Sequence, residues 1–243
     1  MSRTLRAIVG TAGALALSAA GVTAAHAAPT GDDGPRTSNI VGGSKADSPY
    51  IVQLVFKQDG GTYGCTGEAI SAGWVLTAKH CVDGTTSMNV YYSNDTANRG
   101  EAVVASDFQA SSSGDVGLVK LGTDKELNEY APLADSYSPS GGTGEIWGYG
   151  LRADKQDPDW LYKATVNIDG ASTDAYDGKA VHVLGEDGAS NHGDSGGPLF
   201  VDGKIVGVCS TGDTADPGSD IHAGSNYANL TDSRSWIKST SGV

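Results

Sequence analysis

The stretch SNHGDSGGPLFVDGKIVGVC, residues 190–209, sets Ser195 inside GDSGG and follows it with a proline and two apolar runs. GDSGG fits the general G-x-S-x-G pattern of an exposed serine, yet glycine and serine are also ordinary turn residues. What stands behind the serine separates the architectures. An α/β-hydrolase arrangement requires a helix immediately after it, and Pro198 with the strand-like runs PLFV and KIVGVC opposes one.

The rest of the chain repeats that texture. YIVQLVFK, GWVLTA, EAVVAS, DVGLVKL, EIWGYG, LYKATVNI and AVHVLG are short apolar runs separated by Gly, Asp, Asn and Ser. In LYKATVNI, Tyr162, Ala164, Val166 and Ile168 share one face and Lys163, Thr165 and Asn167 the other, the period of two of a half-buried strand. Many short strands with regular turn signals predict an all-β sandwich or barrel. One helix is expected at about 231–240, capped by Thr231 or Asp232, with Trp236 and Ile237 turned to the body. No sequence repeat is visible. Residues 126–145 carry few strand signals and read as a link between two halves.

Arg3 and Arg6 precede an apolar run that closes at Ala25-His26-Ala27, the parts of a secretory signal peptide over 1–27. The polar dozen 28–39 has too little apolar surface to fold alone and reads as a propeptide. Residues 40–243 are long enough for one large all-β domain or two small ones. From Ile40 on there are 13 basic and 27 acidic residues. Such a field disfavours nucleic acid and anionic membranes. Three cysteines are too few for a disulfide-dense scaffold. A Cys65–Cys81 bridge would span a plausible turn, leaving Cys209 as a buried, inert thiol in KIVGVC.

Ser195 needs a base, because a free serine hydroxyl is a weak nucleophile at neutral pH. His80 closes GWVLTAKHC at the end of a buried strand beside the expected bridge, where an imidazole is held in place. His182 alternates within a strand and reads as filler; His192 lies in the loop beside the serine and suits a cleft wall. The imidazole in turn needs a carboxylate, and Asp115 enters the apolar run DVGLVKL, a costly place for an unpartnered acid.

IVGG at 40–43, LTAKHC at 76–81, DVGLVKL at 115–121, WGYG at 147–150 and GDSGGP at 193–198 resemble, in order, the trypsin/chymotrypsin family of serine endopeptidases, in its secreted, bacterial-type form. The resemblance implies two six-stranded antiparallel β-barrels, about 40–128 and 140–230, with the active site between them and a C-terminal helix. It implies His80, Asp115 and Ser195 as the catalytic residues and the Gly193 and Ser195 N–H groups as the oxyanion hole. It also implies activation by cleavage before Ile40, whose freed amine pairs with Asp194. The substrate-binding positions it marks are Ala189, Ser190, His192, Ser210, Thr211, Gly212 and Ser225. The partners expected are protein or peptide substrates of a monomeric enzyme, with no cofactor and no metal.

The departures carry information too. Asn39 rather than a basic residue precedes IVGG, and Arg36 lies three residues upstream, so the activating protease is open. Asn191 stands where many members have a bridging cysteine. Ala189 replaces the aspartate of trypsins and Ser225 a usual glycine, so a small to medium uncharged side chain is expected in the pocket, unless Asp187 or Asp213 reaches in. No glutamate lies between Cys81 and Glu101 to carry over the family's calcium loop, and GDTADPGSD reads as a solvated acidic loop. Two other readings remain: a catalytically inactive protease-like binding protein, and an α/β-hydrolase-type esterase using His222 after Asp213, Asp216 or Asp220.

Overall fold

In Ile51–Gln58 (β1), Val52, Leu54 and Phe56 point one way into a buried cluster, as a period of two requires. The computed structural model describes residues 40–243, so the expected signal peptide and propeptide fall outside the described residues. Five more strands follow: Gly61–Ser71 (β2), Trp74–Thr77 (β3), Thr85–Tyr91 (β4), Val103–Ala110 (β5) and Gly117–Leu121 (β6). They close a barrel in the order β1-β2-β3-β6-β5-β4, every pair antiparallel. Val75, Met88, Val90, Val119 and Leu121 complete its interior.

The second half repeats the plan. Thr143–Gly148 (β7), Tyr162–Thr173 (β8), Lys179–Gly185 (β9), Pro198–Val201 (β10), Lys204–Gly212 (β11) and Gly224–Asn229 (β12) are its strands. They run β7-β8-β9-β12-β11-β10, and the β8–β9 and β10–β7 pairings close the ring. The two barrels therefore share one connectivity, a repeat of topology with no counterpart in the side chains. Ile146, Val166, Val181, Val183 and Leu199 fill the second interior. Between the barrels, Ile70, Leu76 and Leu118 from the first meet Ile205, Val208 and Ala228 from the second in a third apolar cluster.

Three of the twelve barrel strands are not announced by the sequence: β2, β4 and β12. β2 carries Gly61, Gly64 and Gly67 and buries polar Thr66 and Glu68, so its pattern lacks apolar alternation. β12, GSNYAN, is as polar as a loop. The C-terminal helix also differs in detail. Leu230–Asp232 is a 3-10 turn, and Arg234–Ser241 (α1) begins after Ser233, so neither Thr231 nor Asp232 caps it. The Ser233 hydroxyl is instead engaged with Ser111 and the Ser113 carbonyl. Ile237 is buried and Trp236 packs beside it, as expected.

Glu68 is fully buried, and neither of its carboxylate oxygens has a hydrogen-bond partner among the described residues. Burial pushes its carboxyl well above the usual range. A raised native pKa means that the unfolded chain ionises first, so Glu68 lowers stability as pH rises past the unfolded carboxylate value of about 4.3. Glu68→Met should therefore stabilise the protein at neutral pH by about 1–3 kcal/mol, and the gain should shrink toward pH 4. Thermal unfolding across that pH range is the measurement.

Candidate active site

The run GWVLTAKHC leaves β3 at Thr77 and turns at once into a 3-10 segment, Lys79–Cys81, which aims His80 at the seam between the barrels. Cys81 is bridged to Cys65 on β2, as expected, and the His80 ring and both sulfurs lie within 4.8 Å of one another. Asp115 sits just ahead of β6 with no exposed surface. Its Oδ1 accepts the His80 backbone N–H at 2.9 Å and its Oδ2 faces His80 Nδ1 at 2.7 Å. The Ser210 hydroxyl on β11 donates to the same Oδ2 at 2.7 Å.

Burial alone would raise the Asp115 carboxyl, but the hydrogen bonds from His80 and Ser210 outweigh it and hold the group below the usual carboxylate range. An ionised carboxylate only accepts, so His80 Nδ1 must carry the ring proton. In the neutral ring, Nε2 is then a free lone pair, suited to take a proton.

Ser195 lies in the loop Asn191–Gly197 ahead of β10. It is followed by a strand and not a helix, which removes the α/β-hydrolase arrangement; His222 is bound instead to the Gly185 carbonyl. The loop is docked on the first barrel by Thr66. Its N–H donates to the Ser195 carbonyl at 2.9 Å and its hydroxyl to the Gly193 carbonyl at 3.0 Å. Toward the second barrel, the Gly196 N–H donates to the Cys209 carbonyl at 2.8 Å. No hydrogen bond joins the Ser195 hydroxyl to His80 among the described residues; their chain segments meet where the Cys81 sulfur lies 3.9 Å from the Ser195 carbonyl oxygen.

Within this loop the N–H groups of Asn191, His192, Asp194, Gly196 and Gly197 all have protein acceptors. Those of Gly193 and Ser195 have none among the described residues. Two unused donors flanking Asp194, on a loop this well satisfied, are candidates to hold an anion. Gly193 has φ +88°, a conformation that side chains resist. Gly196 has φ +79°, and a Cβ there would stand 2.0 Å from the Thr77 hydroxyl.

Asp194 is buried, with its oxygens accepting from the Gly150 N–H at 2.6 Å and the Asn191 N–H at 2.8 Å. Burial pushes its carboxyl well above the usual range, with the field of Arg152 offsetting part of that. The glycines of WGYG are explained by it: a Cβ at Gly148 or Gly150 would meet the carboxylate at 2.2 or 1.9 Å. Ile40 is fully buried, and Val41–Gly42 pairs with Gly188–Ala189, a few residues from Asp194.

A pocket of about 300 Å3 opens beside Ser195, lined by Ser190, His192, Ser210, Thr211 and Gly212 of the expected set. Ala189 and Ser225 are buried and do not line it. Asn191, Cys209 and Asp213 do. The Cys209 thiol is buried and pushed up to about 12 by that burial, in keeping with an inert group. Asp187 is turned away, onto Thr165. Asp213 is held at 2.9 Å by His182, whose other ring nitrogen contacts Asp169 at 2.9 Å. Burial would lower the His182 pKa, but these two carboxylates raise it above its ordinary value. His182 is thus no filler. Thr66 and Asp169 were missed, because a threonine in a glycine-rich strand and an aspartate on a strand's outer face carry no local signal.

Residues 40–237 match the Trypsin family model. Trypsin I-P1 of Gallus gallus is 31% identical to the chain, over 90% of this chain and 94% of its own length. Serine protease 1 of Drosophila melanogaster is 28% identical over 80% and 82%. The thrombin-like enzyme elegaxobin-1 of Protobothrops elegans is 30% identical over 82% and 94%. These relatives are animal proteins and lend nothing to a bacterial-type qualifier.

The Cys65–Cys81 bridge spans 16 residues of sequence. Replacing both cysteines by alanine should cost roughly 3 kcal/mol in urea unfolding, from the freed loop of the unfolded chain.

Proposed function

The chain belongs to the trypsin family, and from that premise we propose that it is a secreted endopeptidase whose acyl-enzyme forms on Ser195. It is a serine endopeptidase, acting on protein or peptide substrates. In the proposed cycle, His80 Nε2 takes the Ser195 hydroxyl proton as Oγ attacks the peptide carbonyl. Asp115 faces the imidazolium that results, and the N–H groups of Gly193 and Ser195 receive the oxyanion. His80 passes its proton to the departing amine as the tetrahedral species collapses. Water then repeats the sequence on the acyl ester, freeing the carboxylic acid and Ser195. The observation that carries this reading is the 2.7 Å contact of His80 Nδ1 with a carboxylate that has no exposed surface.

Activation follows from the state of Asp194. Its carboxyl is buried against two neutral N–H groups, and the field of Arg152 offsets only part of the burial cost, which a cation in direct contact would meet. Cleavage before Ile40 supplies one, because the freed α-amine begins a strand already pinned to Gly188–Ala189. The pair raises the amine pKa above its ordinary value of about 7.7–8.0, so the active arrangement holds below that range and is lost as pH rises through the raised value. The basic start and apolar run over 1–27 support export of the enzyme, and no described helix is long and apolar enough to cross a membrane. The acidic surface argues against nucleic acid as a partner, and the enzyme acts as a monomer. In the pocket, Asp213 is committed to His182, and no trypsin-like carboxylate stands at 189, which favours small to medium uncharged side chains over Lys or Arg.

Three measurements test this. Ser195→Ala should lower kcat on a peptide substrate by about 10⁶-fold and abolish fluorophosphonate labelling. Asp194→Asn should abolish activity of the chain cut before Ile40, while leaving the uncut chain as stable at neutral pH as its parent, or more so. On a panel of chromogenic peptides, Leu and Ala should be cleaved faster than Arg; fast cleavage after Arg, lost in Asp213→Asn, would assign the pocket to cations.

A further inference from the structure

The five-residue turn 174–178 between β8 and β9 belongs to the second barrel, yet it grips the first. Asp174 is 7% exposed. Its Oδ1 accepts the N–H groups of Tyr176 and Gly178, both at 2.9 Å, which folds the turn. Its Oδ2 faces the other way and accepts the Asp115 backbone N–H at 2.8 Å. The approach is close enough to require glycines on both sides. A Cβ at Gly114 would stand 2.4 Å from Asp174 Oδ2, and one at Gly178 would stand 2.4 Å from Gly114 Cα and 2.6 Å from that same oxygen.

Two further contacts come from the same turn. The Ala175 N–H donates to the Ser210 hydroxyl at 3.0 Å, orienting the hydroxyl that donates to Asp115. The Tyr176 ring covers the Lys79 ammonium at 4.3 Å, beside His80.

We propose that Asp174 is a positioning residue for the reaction: it fixes the backbone of Asp115, and through it the His80 imidazole, from across the barrel seam. The proposal rests on the roles given above to His80, Asp115 and Ser195. The geometry separates its two duties, because one oxygen serves the turn and the other serves Asp115. In Asp174→Asn the amide oxygen keeps the two turn N–H groups, while the amide NH₂ faces the Asp115 N–H and cannot accept from it. Gly178→Ala keeps the Asp174 carboxylate chemically intact but forces it off its contact with the Asp115 N–H.

Steady-state kinetics and thermal unfolding on the cut, active enzyme test this. Asp174→Asn should lower kcat on the order of ten- to a hundredfold, the scale of a small misplacement of reacting groups. KM and the unfolding midpoint should stay near those of the parent. Gly178→Ala should give the same loss of kcat, and Asp177→Gly, which changes the turn away from the contact, should not. An unchanged kcat in Asp174→Asn, or kcat, KM and midpoint degrading together, would overturn the proposal. Ser195→Ala assayed alongside separates the two levels. If it retains activity, the assigned triad itself falls; if it is inactive while Asp174→Asn is unimpaired, only the role of Asp174 falls.

Discussion

A carboxylate with no exposed surface is the constraint on which this molecule is arranged. Asp115 is charged, so burying it is costly unless every lone pair is answered. The answers come from both halves: His80 in the first barrel, and the Ser210 hydroxyl in the second. The barrels can keep Asp115 ionised only in the relative position that brings those donors together. The apolar seam of Ile70, Leu76, Leu118 and Val208 supplies the burial energy, and the polar contacts supply the register.

The serine loop obeys a similar logic with backbone groups. Thr66 anchors it on one side and Cys209 on the other, while Asp194 gathers N–H groups beneath it. Three glycines of the two signature motifs answer a side-chain contact: Gly148 and Gly150 make room for Asp194, and Gly196 makes room for Thr77. What looks like a permissive, glycine-rich turn is a loop with almost no freedom. The two N–H groups it leaves unused are the ones that face the cleft in the proposed reaction.

Much of this could be read from the residues, because the informative signals were local. Strands such as β8 announce themselves by alternation, and the ordered motifs single out His80, Asp115 and Ser195, of which the first two are in direct contact. What escaped was non-local. β2 and β12 are strands because neighbours complete their ladders, and their own glycine and polar content conceals it. Thr66 and Asp174 matter through contacts across the seam, with 127 and 59 residues separating them from their partners. Nothing in the flanking sequence of either distinguishes it from an ordinary threonine or aspartate. The helix starts after Ser233, whose hydroxyl makes no capping bond because Ser111 engages it, a tertiary demand that overrides capping preference.

The repeated connectivity hides a mechanical asymmetry. The one crosslink lies wholly inside the first barrel, between β2 and the turn after β3; the second barrel holds a solitary buried sulfur at Cys209 in its place. Covalent reinforcement therefore rests with the half that carries the imidazole. The half that carries Ser195 and the pocket beside it keeps its shape without a crosslink. In the proposed reaction, covalent stiffening therefore falls on the half that moves the proton, and the half that holds the substrate has none.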